Sequence, residues 1–221
     1  VTLAVARHMP QARGVRTFIA VVLALAAAHA ASAAREEVVR AGPNSAWRGI
    51  ATETDRDRVR HWRGAWMDAL ALVRAGAHGG AIAGGGTLFE PDTALAGAAP
   101  PPGDYDCRTI KLGRAGPQLP DYVAYPAAPC RIARDGERLR FTALAGPQRP
   151  VGTIFPDNGR RMVFLGTLML GDESRALRYG RDRERDLVAV VERVGPDRWR
   201  MAFPRPHHES LLDVIELVPR R

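Results

Sequence analysis

The sequence predicts a mainly β (α+β) protein, an antiparallel up-and-down β-barrel of about eight strands with an N-terminal amphipathic helix packed on it. Three observations predict it. From Gly103 onward apolar and polar residues alternate at period two, as where Leu139, Phe141 and Ala143 interleave with Arg138, Arg140 and Thr142. Turn residues separate the runs at short, even spacing: Asp135-Gly136, Pro156 to Gly159, Gly171-Asp172 and Gly195 to Asp197. No helix of useful length is expected between the runs, so the sheet is not a parallel one of βαβ units and neighbouring strands are antiparallel.

Residues 1–33 read as an export signal. Arg7, Arg13 and Arg16 give a basic start without an acid, Phe18 to Ala28 is unbroken apolar chain, and Ala31-Ser32-Ala33 supplies the small-x-small cleavage pattern. The apolar run is short of the ~20 residues a membrane-spanning helix needs, so a retained signal anchor is the competing reading. Removal of the signal leaves no transmembrane segment, and the expected location is periplasmic or secreted.

Residues 34–102 form an N-terminal helical segment and a Gly/Ala/Pro-rich linker. The helix is expected over 55–75, capped by Thr54 or Asp55 and ended by Gly76, because Val59, Trp62, Trp66, Leu70 and Val73 recur at steps of three and four residues. The glycine-rich run 76–86 lacks both a preceding strand and a following Gly-Lys-Ser/Thr, so it reads as a connection and not a phosphate loop. A short helical turn is expected within Thr87 to Leu95.

Residues 103–221 make the barrel, with strands near 104–112, 122–132, 138–144, 150–155, 161–170, 187–194, 198–203 and 212–218. The alternative is a folded-over sandwich; the even connections favour the barrel. The runs 161–170, 187–194 and 212–218 are apolar on both faces, so part of the outer wall is covered, and the tryptophan face of the helix is the natural cover.

Cys107 and Cys130 are the two cysteines of the chain. In an oxidising compartment they pair most simply as one disulfide closing about 24 residues, the alternative being two buried thiols. The net charge is +8, and Lys111 is the sole lysine among 32 basic residues. Basic and acidic residues are interspersed, as in Arg181 to Asp186, which makes a self-compensated surface and not the one-signed stripe that a nucleic acid requires.

The candidate chemistry is thin. His207, His208, Glu209, Ser210 and Asp213 form the densest cluster of metal-ligand and acid–base types. Adjacent histidines on extended chain point to opposite sides, which works against chelation of one ion. Ser210 lacks a Gly-x-Ser-x-Gly elbow. Charges inside otherwise apolar strands carry more information. Glu192, Arg193, Asp213, Glu216 and, beside a turn, Arg149 are each surface groups, members of an ion-pair network or the polar floor of a ligand site.

Several segments resemble one bacterial family. They are Pro102 to Gly113, Gln148 to Pro150, Val163 to Gly166, Tyr179-Gly180, Arg185-Asp186, Val191 to Gly195, Arg198 to Arg200, Glu209-Ser210, Leu212 to Val214 and Glu216 to Pro219. Together they resemble the domain of unknown function 4893 over roughly residues 47–219. The resemblance implies an exported bacterial protein and transfers no catalytic residue. Gly103-Asp104-Tyr105 also resembles the opening of a lipocalin-type barrel, which supports a lipocalin-like fold.

The expected function is therefore non-catalytic binding of a small molecule or an envelope partner by the barrel, without a cofactor or metal. The expected ligand-facing residues are Arg149, Tyr179, Arg185, Asp186, Glu192, Arg193, Trp199, Glu209 and Asp213. A metal-assisted or hydrolytic enzyme using His207, His208, Glu209 and Asp213 is the alternative, and a structural or inhibitor-like surface module is a third.

Overall fold

A computed structural model describes residues 46–221; the expected export signal lies outside the described residues. The period-two segments form nine antiparallel strands: β1 Gly103–Arg114, β2 Tyr122–Ala124, β3 Ala128–Asp135, β4 Arg138–Ala143, β5 Gln148–Asn158, β6 Arg161–Leu170, β7 Asp186–Gly195, β8 Arg198–Pro204 and β9 Ser210–Pro219. Strands β3 to β9 pair in sequence order, and β1 closes the barrel by pairing with both β3 and β9. Eight strands make the wall, and β2 is an extra one laid along residues 110–112 of β1.

The expected single strand over 122–132 is instead two, β2 and β3. The run breaks over residues 125–127 at Pro126, and a residue without an N–H cannot donate to a ladder. The break matters for the site: β1 pairs with β3 only through residues 103–107, then leaves it and takes β2 as its neighbour.

The helical segment also differs from expectation. It comprises α1 Ala46–Ile50, α2 Glu53–Arg60, α3 Trp62–Ala75 and α4 Gly79–Gly85, followed by one 3-10 turn, Gly86–Leu88. The expected helix over 55–75 is broken at His61, whose backbone leaves helical values (φ −104°, ψ 14°). Its cap is Thr52, not Thr54 or Asp55: the Thr52 hydroxyl accepts from the Asp55 N–H at 3.2 Å. The glycine run expected to be a connection forms α4, which packs back on α3 and buries Ile82. Among the described residues no helix is long and apolar enough to cross a membrane.

Strand alternation sorts the apolar residues into two cores. The inner one fills the barrel with Tyr105, Ile132, Phe141, Ile154, Phe164, Val191, Trp199, Met201, Phe203 and Leu217. Phe141, Phe164 and Phe203 meet edge-on across it, with ring centroids 5.9 and 5.8 Å apart. The outer core lies between the wall and the helices, with Trp62, Trp66, Ala69, Leu70 and Val73 against Ile110, Leu112, Val188, Val190, Ala202 and Val214. The tryptophan face of the helix is thus the cover that the two-sided strands required. Gly113, at φ +67°, permits the close approach, because a Cβ there would lie 2.8 Å from Ala69 Cα.

Cys107 and Cys130 form a disulfide, their Cα atoms 5.9 Å apart. It joins β1 to β3 on the luminal side, just before the two strands part.

Candidate functional site

The barrel is closed at one end. Tyr105 and Trp199 meet edge-on at 6.3 Å, and the Arg193 guanidinium lies 5.8 Å from the Trp199 ring. The linker crosses this end: Leu95 N–H donates to Arg193 O, and the Tyr105 hydroxyl donates to Pro101 O at 2.5 Å. Burial pushes the Tyr105 phenol up to about 12, so it stays a donor.

The other end is open. Tyr105 and Cys107 face the lumen while Ile110 and Leu112 face the helices, so Thr109 and Lys111 share the luminal side of β1. On β9 the same alternation turns Ile215 and Leu217 inward, and with them Asp213. The β1–β9 register sets Lys111 directly opposite Asp213. Lys111 Nζ lies 3.2 Å from Asp213 Oδ2 and 2.9 Å from Glu209 Oε2. Glu209 reaches it from a left-handed backbone (φ 73°) at the turn into β9. The Ser210 hydroxyl donates to Asp213 Oδ1 at 2.5 Å.

Burial works against the Lys111 ammonium, but Asp213 and Glu209 outweigh it, so its pKa is raised and it remains charged. Burial pushes the Asp213 carboxyl up, against the opposite pull of Lys111 and Ser210.

Two compartments flank this pair. One, of about 70 Å³, is walled by Pro150, Leu168, Leu187, Phe203 and Ile215, with His207, His208, Glu184 and Glu209 at its rim. The other, of about 310 Å³, lies where β1 and β3 part, among Cys107, Tyr125, Pro126, Ala128 and the 145–147 turn. Thr109, Lys111 and Gln148 line both.

The rim is braced to the helices. Arg58 Nη2 donates to His207 Nε2 at 3.1 Å, and Asp55 holds Arg58 at 3.1 Å. Asp55 in turn accepts from the Tyr179 hydroxyl at 2.5 Å. Burial, and then the Arg58 charge, hold the His207 imidazole below the usual histidine range, so it is neutral at pH 7.

The expected site residues disperse over the molecule. Glu209 and Asp213 meet at the mouth, and Arg193 and Trp199 seal the opposite end. Tyr179 anchors the β6–β7 loop on α2, and Arg185 holds Glu173 at 2.5 Å in the same loop. Arg149 donates to Leu170 O and Glu173 O, both at 2.7 Å. Asp186 is buried at the start of β7, where it accepts from Gly180 N–H at 2.8 Å. Glu192 lies on the outer wall and accepts from the fully buried Arg200 at 2.7 and 3.0 Å. Glu216, also on the outer wall, takes Arg108 and Arg198.

The histidine cluster is spread apart. His207 and His208 have ring centroids 6.2 Å apart and tilted planes. Among the described residues no group of three or more His, Cys, Asp or Glu is arranged to hold a metal ion. Ser210 donates to the Asp213 carboxylate, and among the described residues no hydrogen bond joins its hydroxyl to an imidazole.

Sequence reasoning missed Thr109, Lys111 and Gln148. The usable signal was parity: Thr109 and Lys111 continue the luminal series begun by Tyr105 and Cys107, and Lys111 is the one lysine in an arginine-rich chain.

A family model described as a domain of unknown function (DUF4893) matches residues 47–217. No curated protein and no solved structure matches the chain.

Proposed function

Because the chain belongs to the DUF4893 family, whose description assigns no activity, we propose its function from the geometry of the barrel: an exported, periplasmic or secreted protein that binds a small molecule in the open mouth. The observation that carries this reading is the mouth itself. A barrel evolved only for stability gains from filling its lumen at both ends. Here one end is packed with Tyr105 and Trp199, while the other keeps two apolar-walled compartments around a half-buried ion pair. Apolar walls with a few convergent polar groups are the ordinary form of a small-molecule site.

The test is native mass spectrometry of the protein purified from its own host, with a Thr109→Trp variant alongside. Thr109 borders both compartments, and an indole there fills the space between them. The expected result is a co-purifying adduct on the wild type that Thr109→Trp lacks. Wild type free of adduct, with a melting temperature unmoved by any member of a small-molecule panel, overturns the reading. Export is tested separately by N-terminal sequencing of the mature protein. A chain beginning at Ala34 is expected, and an intact N-terminus on protein found only in the cytoplasm overturns it.

A further inference from the structure

We infer that the mouth takes an uncharged amphiphile, an apolar chain or ring bearing a carbonyl or amide group whose oxygen accepts from Lys111 Nζ. This deepens the binding reading and rests on it.

An ammonium carries three N–H donors. Glu209 and Asp213 occupy two at Lys111, leaving one for a guest. Thr109 and Gln148 meet Lys111 at the junction of the compartments, and neither side chain has a hydrogen-bond partner among the described residues. The junction therefore offers a charged donor, a hydroxyl and an amide to one small polar group.

Charge decides which group. Two carboxylates already answer the single ammonium, and Glu184 adds a third at the rim. An anionic head has to displace Glu209 or sit in a net-negative field. A cationic head meets the Lys111 ammonium at contact distance. A neutral acceptor suffers neither cost and completes the third donor. The apolar remainder lies against Leu168, Leu187, Phe203 and Ile215, or against Tyr125 and Pro147. Lys111 is ammonium, so it donates to the carbonyl oxygen and does not attack its carbon.

The test compares three probes of one chain length, octanamide, octanoate and octylammonium, by calorimetric titration of the full chain at pH 7. Octanamide is expected to bind at least about tenfold more tightly than either ion. Lys111→Met is expected to remove that preference by about the same factor, the size of one charge-assisted hydrogen bond. If Lys111→Met does not fold, Gln148→Leu is the second variant and is expected to weaken octanamide alone. Preference for octanoate or octylammonium, or equal binding of all three, overturns the uncharged-head inference and leaves the binding reading standing. Failure of all three to bind also overturns the inference, while the binding reading falls only if the wild type carries no adduct and the melting panel is flat.

Discussion

Arg200 is fully buried on the outer wall of the barrel, and replacing it tests what fastens the helical cover. Its Nε and Nη2 donate to Glu192 Oε2 at 3.0 and 2.7 Å. Its Nη1 donates to the carbonyls of Thr87, Leu88 and Glu90 at 2.9, 3.1 and 2.7 Å, and Nη2 also reaches Pro91 O at 3.2 Å. The guanidinium lies 4.5 Å from the Trp66 ring centroid. One side chain thus joins β7, β8, α3, the 3-10 turn and the segment after it. Arg200→Met keeps much of the volume and removes every donor. It leaves Glu192, 2 % exposed, as an unpaired buried carboxylate. Breaking such a pair from one side costs about 3–5 kcal/mol. For a domain of this size that is a fall of roughly 6–20 °C in melting temperature. Adding Glu192→Leu removes the stranded charge and is expected to recover about 1–3 kcal/mol, although the carbonyls stay unanswered. Urea unfolding of the wild type, both single variants and the double variant, with the disulfide intact, supplies the cycle. A cost below about 1 kcal/mol for Arg200→Met, or a double variant less stable than Arg200→Met alone, refutes the reasoning.

Three further outcomes are expected. Gly152 and Gly166 face each other across β5 and β6 under the Phe164 ring, and a Cβ on Gly166 would collide with that ring and with the Val151 carbonyl oxygen. Gly166→Ala therefore displaces Phe164 and costs about 1–3 kcal/mol by thermal unfolding; an unchanged midpoint rejects the packing account. Removing the Cys107–Cys130 disulfide, across a separation of 23 residues, costs about 3 kcal/mol, read as a lower urea midpoint for the Cys107→Ala/Cys130→Ala variant. Equal midpoints would show that the bridge contributes nothing. Asp213 has a folded pKa raised by burial, so the folded protein gains from its proton below the unfolded value of about 3.9 and loses that gain as pH rises through the raised value. Asp213→Asn abolishes this dependence, so the variant's stability relative to wild type climbs with pH across that window. A difference that stays flat, or falls, contradicts the assignment.

Much of the wall was legible because strand pattern is local. Residue i and residue i+2 face the same side whatever the rest of the chain does. The proline break between β2 and β3 was equally local, since Pro126 cannot serve a ladder, but the expectation of one strand over 122–132 passed over it. The break at His61 was not, because the apolar spacing of Val59, Trp62 and Trp66 continues through it. The mouth was half legible. Asp213 stood out as a charge in an apolar strand and Glu209 as a member of the histidine cluster, but Lys111 and Thr109 belong to a strand that begins the barrel, about a hundred residues earlier.

By itself the sequence determined the antiparallel strand class and the helix that covers two-sided strands, because each follows from side-chain spacing; it left the two cysteines as a bridge or two thiols, and the structure pairs them. Only the tertiary structure decided which charges meet. Arg200 alternates outward like any solvent-facing arginine, and the segment Thr87 to Pro91 folding over it is what makes it a buried anchor. Lys111 reaches Asp213 because β1 closes on β9 in one register among several that the same alternation permits. Closure brings together residues that no local pattern connects, and that is where the mouth acquired its polar floor.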